Sequence, residues 1–169
     1  MDQGAARMKK DRPLRVLCVA SGGGHVEQML VLAQALEGHR LTLVAYGYSN
    51  MADFAHPAID HARYVKFCGW KGLAVVASLL VGFFQWVWIM LTERPDVIIS
   101  TGAEVALAPI IVGKVLFRRR TVFVETASRK ENPSRTGRLV YRFSDVFLVQ
   151  SPALLAHYGP KARYAGRLL

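Results

Sequence analysis

A parallel α/β sheet flanked by helices is predicted for this chain by three observations. Residues 14–37, LRVLCVASGGGHVEQMLVLAQALE, run from an apolar stretch through Ser21 and the glycines Gly22, Gly23 and Gly24. They then enter a segment whose apolar residues Met29, Leu30, Leu32, Ala33 and Leu36 recur at helical spacing, which makes a strand, a glycine turn and a helix. The theme returns at 94–117, where RPDVIISTG closes on Thr101 and Gly102 and an apolar helix follows. Further short apolar runs, each bounded by turn residues, alternate with helical segments to the end of the sequence. Strands alternating with helices place the chain among Rossmann-like folds with a parallel sheet.

Composition agrees with that class and narrows the partners. At 169 residues the chain suits one domain with a sizeable core. It is 52% hydrophobic with a mean hydropathy of +0.22, yet it carries a net charge of +10 and a pI near 10.1. A chain both apolar and basic points to an anionic membrane surface rather than to nucleic acid. The basic residues are spread along the sequence without a recognition motif, so no nucleic-acid partner is expected. Cys18 and Cys68 lack metal-type spacing and are expected to be buried reduced thiols. Neither a metal nor a cofactor is expected. The opening MDQGAARMKKDRP has no apolar core behind its charges, and a flexible basic tail is expected over residues 1–13 without a signal peptide.

The elements follow in order. The first helix is expected to end near Gly38, with strands at 41–46 (LTLVAY) and 62–67 (ARYVKF) separated by a loop. His56 and His61 fall in or beside that loop and are expected as solvated surface histidines. After the strand at 96–100 and the helix at 101–117, strands are expected at 121–125, 145–150 and 162–166, with short helices between them. Arg118, Arg119 and Arg120 close the 101–117 helix, where they complement its dipole and are placed either to touch lipid headgroups or to form a solvated basic turn.

Residues 73–91, LAVVASLLVGFFQWVWIML, contain no charge over nineteen positions. As a helix they would be about 28 Å long, near the thickness of a bilayer core. A single crossing would nevertheless put the strand at 96–100 on the opposite side of the membrane from the strand at 14–20. The expected arrangement is a helix over 70–91 with one face on the sheet and the other in lipid, presenting Trp70, Phe83, Phe84, Trp86 and Trp88. The competing expectation is a helix buried in the core or in a protein interface.

The candidate site lies at the glycine turn. Free N–H groups and the dipole of the following helix favour an anion there, typically a phosphate. The turn is neither a complete GxGxxG nor a P-loop, so a tight turn that binds nothing is the alternative. Glu104 opens the second helix, either as a dipole-stabilising carboxylate or as a contact to a sugar hydroxyl.

Taken in order, SGGGHVEQM (21–29), PDVIISTGAE (95–104), FVETASR (123–129), SRTGRLVYRFSDVFLVQ (134–150) and YAG (164–166) resemble the asparagine-linked glycosylation protein fourteen family. Its bacterial members are the PssD-type polysaccharide biosynthesis proteins, and the resemblance covers nearly everything after residue 13. It implies the N-terminal half of a two-domain GT-B glycosyltransferase similar to MurG, with 14–169 as the acceptor-side half-domain. It further implies a separate partner subunit that binds the UDP-sugar and a polyprenyl-diphosphate-linked acceptor. The setting it implies is the cytoplasmic face of the inner (plasma) membrane. The last strand ends near Gly166, where a linker to a second domain would begin. Two departures stand out: no N-terminal membrane segment precedes Leu14, and the second turn reads Thr101-Gly102-Ala103-Glu104 where the family has an Asn-Gly-Pro-Gly-like turn.

Within that resemblance His25 is the candidate base for deprotonating the acceptor, since histidine ordinarily titrates near pH 6.5, although a structural or ligand-bonding role fits its place as well. Glu27 and Glu125 are rival carboxylates. Ser21, Gly22, Gly23, Gly24, Glu27, Thr101, Gly102, Glu104, Glu125, Arg129, Thr136 and Gly137 are expected to line the substrate site. Arg129, Arg135 and Arg138 are placed to grip the acceptor diphosphate, to dock a partner, or to form a solvated basic loop.

Overall fold

Every strand expected from the sequence joins one parallel sheet, in the order β3-β2-β1-β4-β5-β6-β7. A computed structural model describes residues 12–47, 54–65 and 74–168, and for 74–80 the backbone alone. The strands are β1 (Arg15–Val19), β2 (Arg40–Tyr46), β3 (His61–Val65), β4 (Val97–Ser100), β5 (Arg120–Val124), β6 (Val146–Val149) and β7 (Ala162–Tyr164). The helices are α1 (Gly24–Gln34), α2 (Ala74–Glu93), α3 (Leu107–Val115) and α4 (Arg135–Val140). Growth runs outward from β1 to β3, then returns through α2 to β4 on the other side of β1. This reversal, with Val16 opposite both Leu41 and Val97, makes β1 and β4 the topological switch point.

The residue period of two explains how both faces are covered. Val16, Cys18 and Ala20, with Leu41, Leu43 and Ala45, pack against Val26, Met29 and Ala33 of α1. Leu17, Val19, Val44, Val65 and Ile98 point the other way, onto Trp86, Ile89 and Met90 of α2 and Val112 of α3. A sheet buried on both sides needs apolar residues at successive positions, which is why β1 reads as a continuous run. A third cluster joins Phe123, Phe147 and Val149 to Ile110, Val140 and Leu154. Close contact between α3 and the sheet depends on Gly113: a Cβ at that position would collide with Ile98 Cδ1. The Cys18 thiol is fully buried, and burial pushes its pKa to about 12, as suits an inert thiol; Cys68 lies outside the described residues.

Several boundaries differ from expectation. Helix α1 stops at Gln34, and Gly38 belongs to the following turn with φ 86°. The segment after β4 begins as a 3-10 turn over Glu104–Ala106 before α3 forms, and 152–157 is also 3-10. Arg12, expected within the 1–13 tail, pairs with Asp96 at 2.9 Å, and residues 1–11 lie outside the described residues. Burial works to raise the Asp96 carboxyl, but the Arg15 amide and the Arg15 and Arg12 guanidinium groups outweigh it and hold the pKa down at about 2. His61 is not simply solvated: its ring lies 3.0 Å from Glu93, which also pairs with Arg63 and accepts from Thr42. That carboxylate ties the end of α2 to β2 and β3.

Helix α2 divides into two faces. Trp86, Ile89 and Met90 are buried against the sheet, while Val81, Phe84, Trp88 and Leu91 point outward at helical spacing and are 48%, 65%, 64% and 52% exposed. The expectation for Trp86 is therefore corrected: at 4% exposure its indole belongs to the core and cannot reach a membrane. Phe83 is on the outward side, and Trp70 lies outside the described residues. Among the described residues no helix is long and apolar enough to cross a membrane.

Candidate functional site

The C-terminal ends of β1 and β4 meet at the switch point, the place where open α/β sheets form a ligand crevice, and two reciprocal hydrogen bonds tie the two ends together. Thr101, immediately after β4, donates its hydroxyl to the His25 carbonyl at 2.7 Å. In return the His25 ring contacts the Thr101 carbonyl oxygen through Nδ1 at 2.9 Å. A carbonyl oxygen only accepts, so Nδ1 carries the proton. In the neutral ring Nε2 is then the basic nitrogen, and no described residue hydrogen-bonds it.

Two glycines are required by this geometry. Gly23, the residue before α1, has φ 67° and ψ −141°, a conformation that side chains resist. Gly102 has φ 110°, and a Cβ there would lie 3.2 Å from His25 Cε1, so the absent side chain makes room for the imidazole. Ala103 holds φ 62° and ψ 170° without being glycine, so the turn after Thr101 is strained. Ser21 and Gly22 are half-buried beside this turn, Gly23 and Gly24 are exposed, and Glu27 and Glu104 stand exposed in the first turns of their helices. The structure thus brings His25, Thr101 and Gly102 together.

Glu125 is a different matter. Its carboxylate is wholly buried and saturated: Oε1 accepts from the Thr126 amide, and Oε2 from the Ser134 amide, the Ser134 hydroxyl and the Tyr158 hydroxyl. Oε2 is fully engaged, Oε1 accepts only the Thr126 amide, and with the side chain at 0% exposure neither oxygen reaches the surface, which corrects its placement among the substrate-contacting residues. Instead it pins both ends of the 126–134 loop. Burial, then the neighbouring Glu125 carboxylate, push the Tyr158 hydroxyl above the usual phenol range. Gly137 is likewise buried, where a Cβ would meet Tyr158 Oη and Glu125 Oε2, and its amide donates to the Ser134 hydroxyl that caps α4. Gly137 is a packing residue and not a ligand contact. Thr136 is half-buried on α4, while Arg129, Arg135 and Arg138 are exposed on and after the loop.

Two residues that sequence reasoning passed over complete the arrangement. Gln28 and Gln150 are each 4% exposed and bond to one another at 2.6 Å. A signal was available: β4, β5 and β6 each run out into a polar residue on this edge, Thr101, Glu125 and Gln150. No group of histidine, cysteine or carboxylate side chains that could hold a metal occurs among the described residues.

The sheet order and its switch point are Rossmann-like, and the solved structures that match make this fold one half of a GT-B fold. MurG of Acinetobacter baumannii has the same fold with a TM-score of 0.71 at 18% identity, over 89% of this chain and 45% of that one. A UDP-GlcNAc 2-epimerase from Methanocaldococcus jannaschii matches with a TM-score of 0.64 at 14% identity, over 90% of this chain and 45% of its own. The chain therefore spans about half the length of these solved structures. By sequence, the chain belongs to the Alg14-like family of oligosaccharide biosynthesis proteins, whose profile matches residues 51–168. The UDP-N-acetylglucosamine transferase subunit ALG14 of Rattus norvegicus is 28% identical over 92% of this chain and 83% of that protein. Its counterpart in Eremothecium gossypii is 29% identical over 93% and 81%. The UDP-N-acetylglucosamine–N-acetylmuramyl-(pentapeptide) pyrophosphoryl-undecaprenol N-acetylglucosamine transferase of Shouchella clausii is 23% identical over 88% of this chain and 44% of its own length.

Proposed function

We propose that this protein is the acceptor-side, membrane-bound subunit of a two-component glycosyltransferase that moves N-acetylglucosamine from UDP-GlcNAc to a polyprenyl-diphosphate-linked saccharide. The observation that carries the reading is His25, held by Nδ1–H on the Thr101 carbonyl at the switch point, with Nε2 unpartnered among the described residues. In an inverting transfer Nε2 takes the proton of the acceptor hydroxyl as that oxygen bonds to the anomeric carbon. The bond from that carbon to UDP breaks, and UDP leaves with the electron pair. The donor is held by a separate C-terminal-half subunit, a reading supported by the subunit names of the relatives and by the chain's 45% share of MurG. Arg129, Arg135 and Arg138 supply positive charge for the acceptor diphosphate.

The outward stripe Val81, Phe84, Trp88 and Leu91 meets the bilayer, with Arg94 and Arg118 just beyond the ends of α2 and α3 for anionic headgroups. Such a monotopic contact on the cytoplasmic face of the inner membrane holds the crevice near a lipid-borne acceptor. The second reading is a non-catalytic scaffold that recruits and activates its partner. It is favoured by how many crevice groups, Glu125 above all, are consumed by internal bonds.

The test is transfer of labelled UDP-GlcNAc to membrane polyprenyl-diphosphate acceptors by the chain alone and with its candidate partner subunit. Product from the pair and none from either chain alone is the expected result. No product in any mixture, across a panel of UDP-sugars, would overturn the glycosyltransferase reading.

A further inference from the structure

The buried amides at this end of the sheet form one continuous path. Leu168, in the segment after β7, donates its backbone N–H to Gln150 Oε1 at 2.8 Å. Gln150 Nε2 donates onward to the Glu125 carbonyl at 2.9 Å and to Gln28 Oε1 at 2.6 Å. Gln28 Oε1 also accepts from the Ala127 amide at 3.1 Å, and Gln28 Nε2 donates to the Gly24 carbonyl at 3.1 Å. The donors and acceptors are mutually consistent: both protons of Gln150 Nε2 and both lone pairs of Gln28 Oε1 are engaged. The path therefore starts at the C-terminal segment and forks at Gln28. One arm reaches the glycine turn one residue before His25, the other the loop that Glu125 pins and that carries Arg129.

We infer that Gln28 and Gln150 are a positioning pair through which the segment after β7 sets the placement of both the His25 turn and the 126–134 loop. An uncharged buried amide pair suits this task. It fixes direction by geometry without the desolvation cost of an ion pair, and leaving either end unsatisfied is costly enough to hold the register. Anything that draws the C-terminal segment away, such as a second half-domain docking on it, would be felt at His25 through these two side chains. What the pair positions for rests on the catalytic reading of His25. The coupling itself does not.

The experiment is amide hydrogen exchange by NMR on the full chain, without sugar, lipid or partner. Leu168→Pro removes the terminal donor and leaves Gln28 and Gln150 untouched, whereas Leu168→Ala keeps the N–H. Leu168→Pro should speed exchange at Ala127 by tenfold or more and move the Gly24 and His25 resonances, while Leu168→Ala leaves them in place. Gln28→Met should abolish Ala127 protection. Gln28→Glu keeps an acceptor for Ala127 and Gln150 but loses the donor to the Gly24 carbonyl, so it should restore Ala127 protection while the Gly24 and His25 resonances stay displaced. Ala127 exchange within twofold of wild type in Leu168→Pro, with shifts confined to residues 166–168, would overturn the coupling. Absence of sugar transfer in a separate assay would leave it standing.

Discussion

Replacing His25 with Asn separates the two jobs that its ring performs. An Asn side chain can place an N–H near the position of Nδ1 and keep the bond to the Thr101 carbonyl, now 2.9 Å long, but it has nothing at Nε2. Thr101 is fully buried, so its carbonyl cannot turn to water for a substitute partner. His25→Ala should therefore cost about 1–3 kcal/mol of stability for the orphaned acceptor, while His25→Asn should stay within about 0.5 kcal/mol of wild type. Transfer is expected to behave oppositely. A general base contributes roughly 10²–10⁴-fold, or about 3–5 kcal/mol of barrier, and both variants should lose it. The assay pairs urea unfolding of each variant with transfer of labelled UDP-GlcNAc by the reconstituted pair. Transfer by His25→Asn within threefold of wild type, alongside loss in His25→Ala, would refute the base. The imidazole would then be a plug that holds the turn, and the scaffold reading would stand.

Three other outcomes follow from the packing. Gly113→Ala drives a methyl into Ile98 Cδ1 and should destabilise by roughly 1–3 kcal/mol despite alanine's better helix propensity; adding Ile98→Val, which deletes that carbon, should recover much of the loss in the same denaturation assay. Tyr158→Phe removes the 2.5 Å bond to Glu125 and should cost about 1.5–3 kcal/mol at neutral pH. Because burial and Glu125 raise the Tyr158 pKa above its ordinary 10.0, the folded chain holds that proton more tightly than the unfolded chain. The wild type should accordingly keep this contribution below pH 10 and lose it as pH climbs beyond, a limb that the Phe variant lacks. Finally, Phe84→Ser with Trp88→Ser deletes two side chains that are 65% and 64% exposed, and should weaken sedimentation with anionic vesicles by roughly 30-fold or more while leaving the unfolding midpoint nearly unchanged.

The elements were legible because the sheet is buried on both faces, so that continuous apolar runs, glycine turns and amphipathic helices had to alternate. His25 was legible for the same reason: it follows the first glycine turn, at the edge where open α/β sheets bind ligands. Its bond to Thr101 was not, because 76 residues separate the two and only the reversal of strand order at β1 and β4 makes them neighbours. Trp86 and Trp88 show a second limit. Both belong to one uncharged run, and in a helix apolar nearly all round the inward face cannot be read from hydropathy; packing into the cluster that holds Leu17, Val44, Ile98 and Val112 decides it by burying Trp86, while Trp88 stays 64% exposed.

Glu125 shows the third limit and the most instructive one. A carboxylate ending a strand at the ligand edge has the sequence profile of a substrate contact, and only its hydrogen-bond partners reveal a structural role. Four donors converge on it, two from Ser134 and one each from Thr126 and Tyr158, and together they close a loop of basic residues over a sheet whose next polar strand end is Gln150. A buried charge that receives so many hydrogen bonds is committed to architecture, since surrendering any donor to reach a substrate would leave it under-compensated in a low-dielectric site. The polar edge of the sheet therefore divides its labour. Glu125, Gln28 and Gln150 use their hydrogen-bonding capacity to hold loops, whereas His25 Nε2 takes no hydrogen bond from the described residues and Glu27, Glu104 and the arginines of the 126–138 stretch stand exposed.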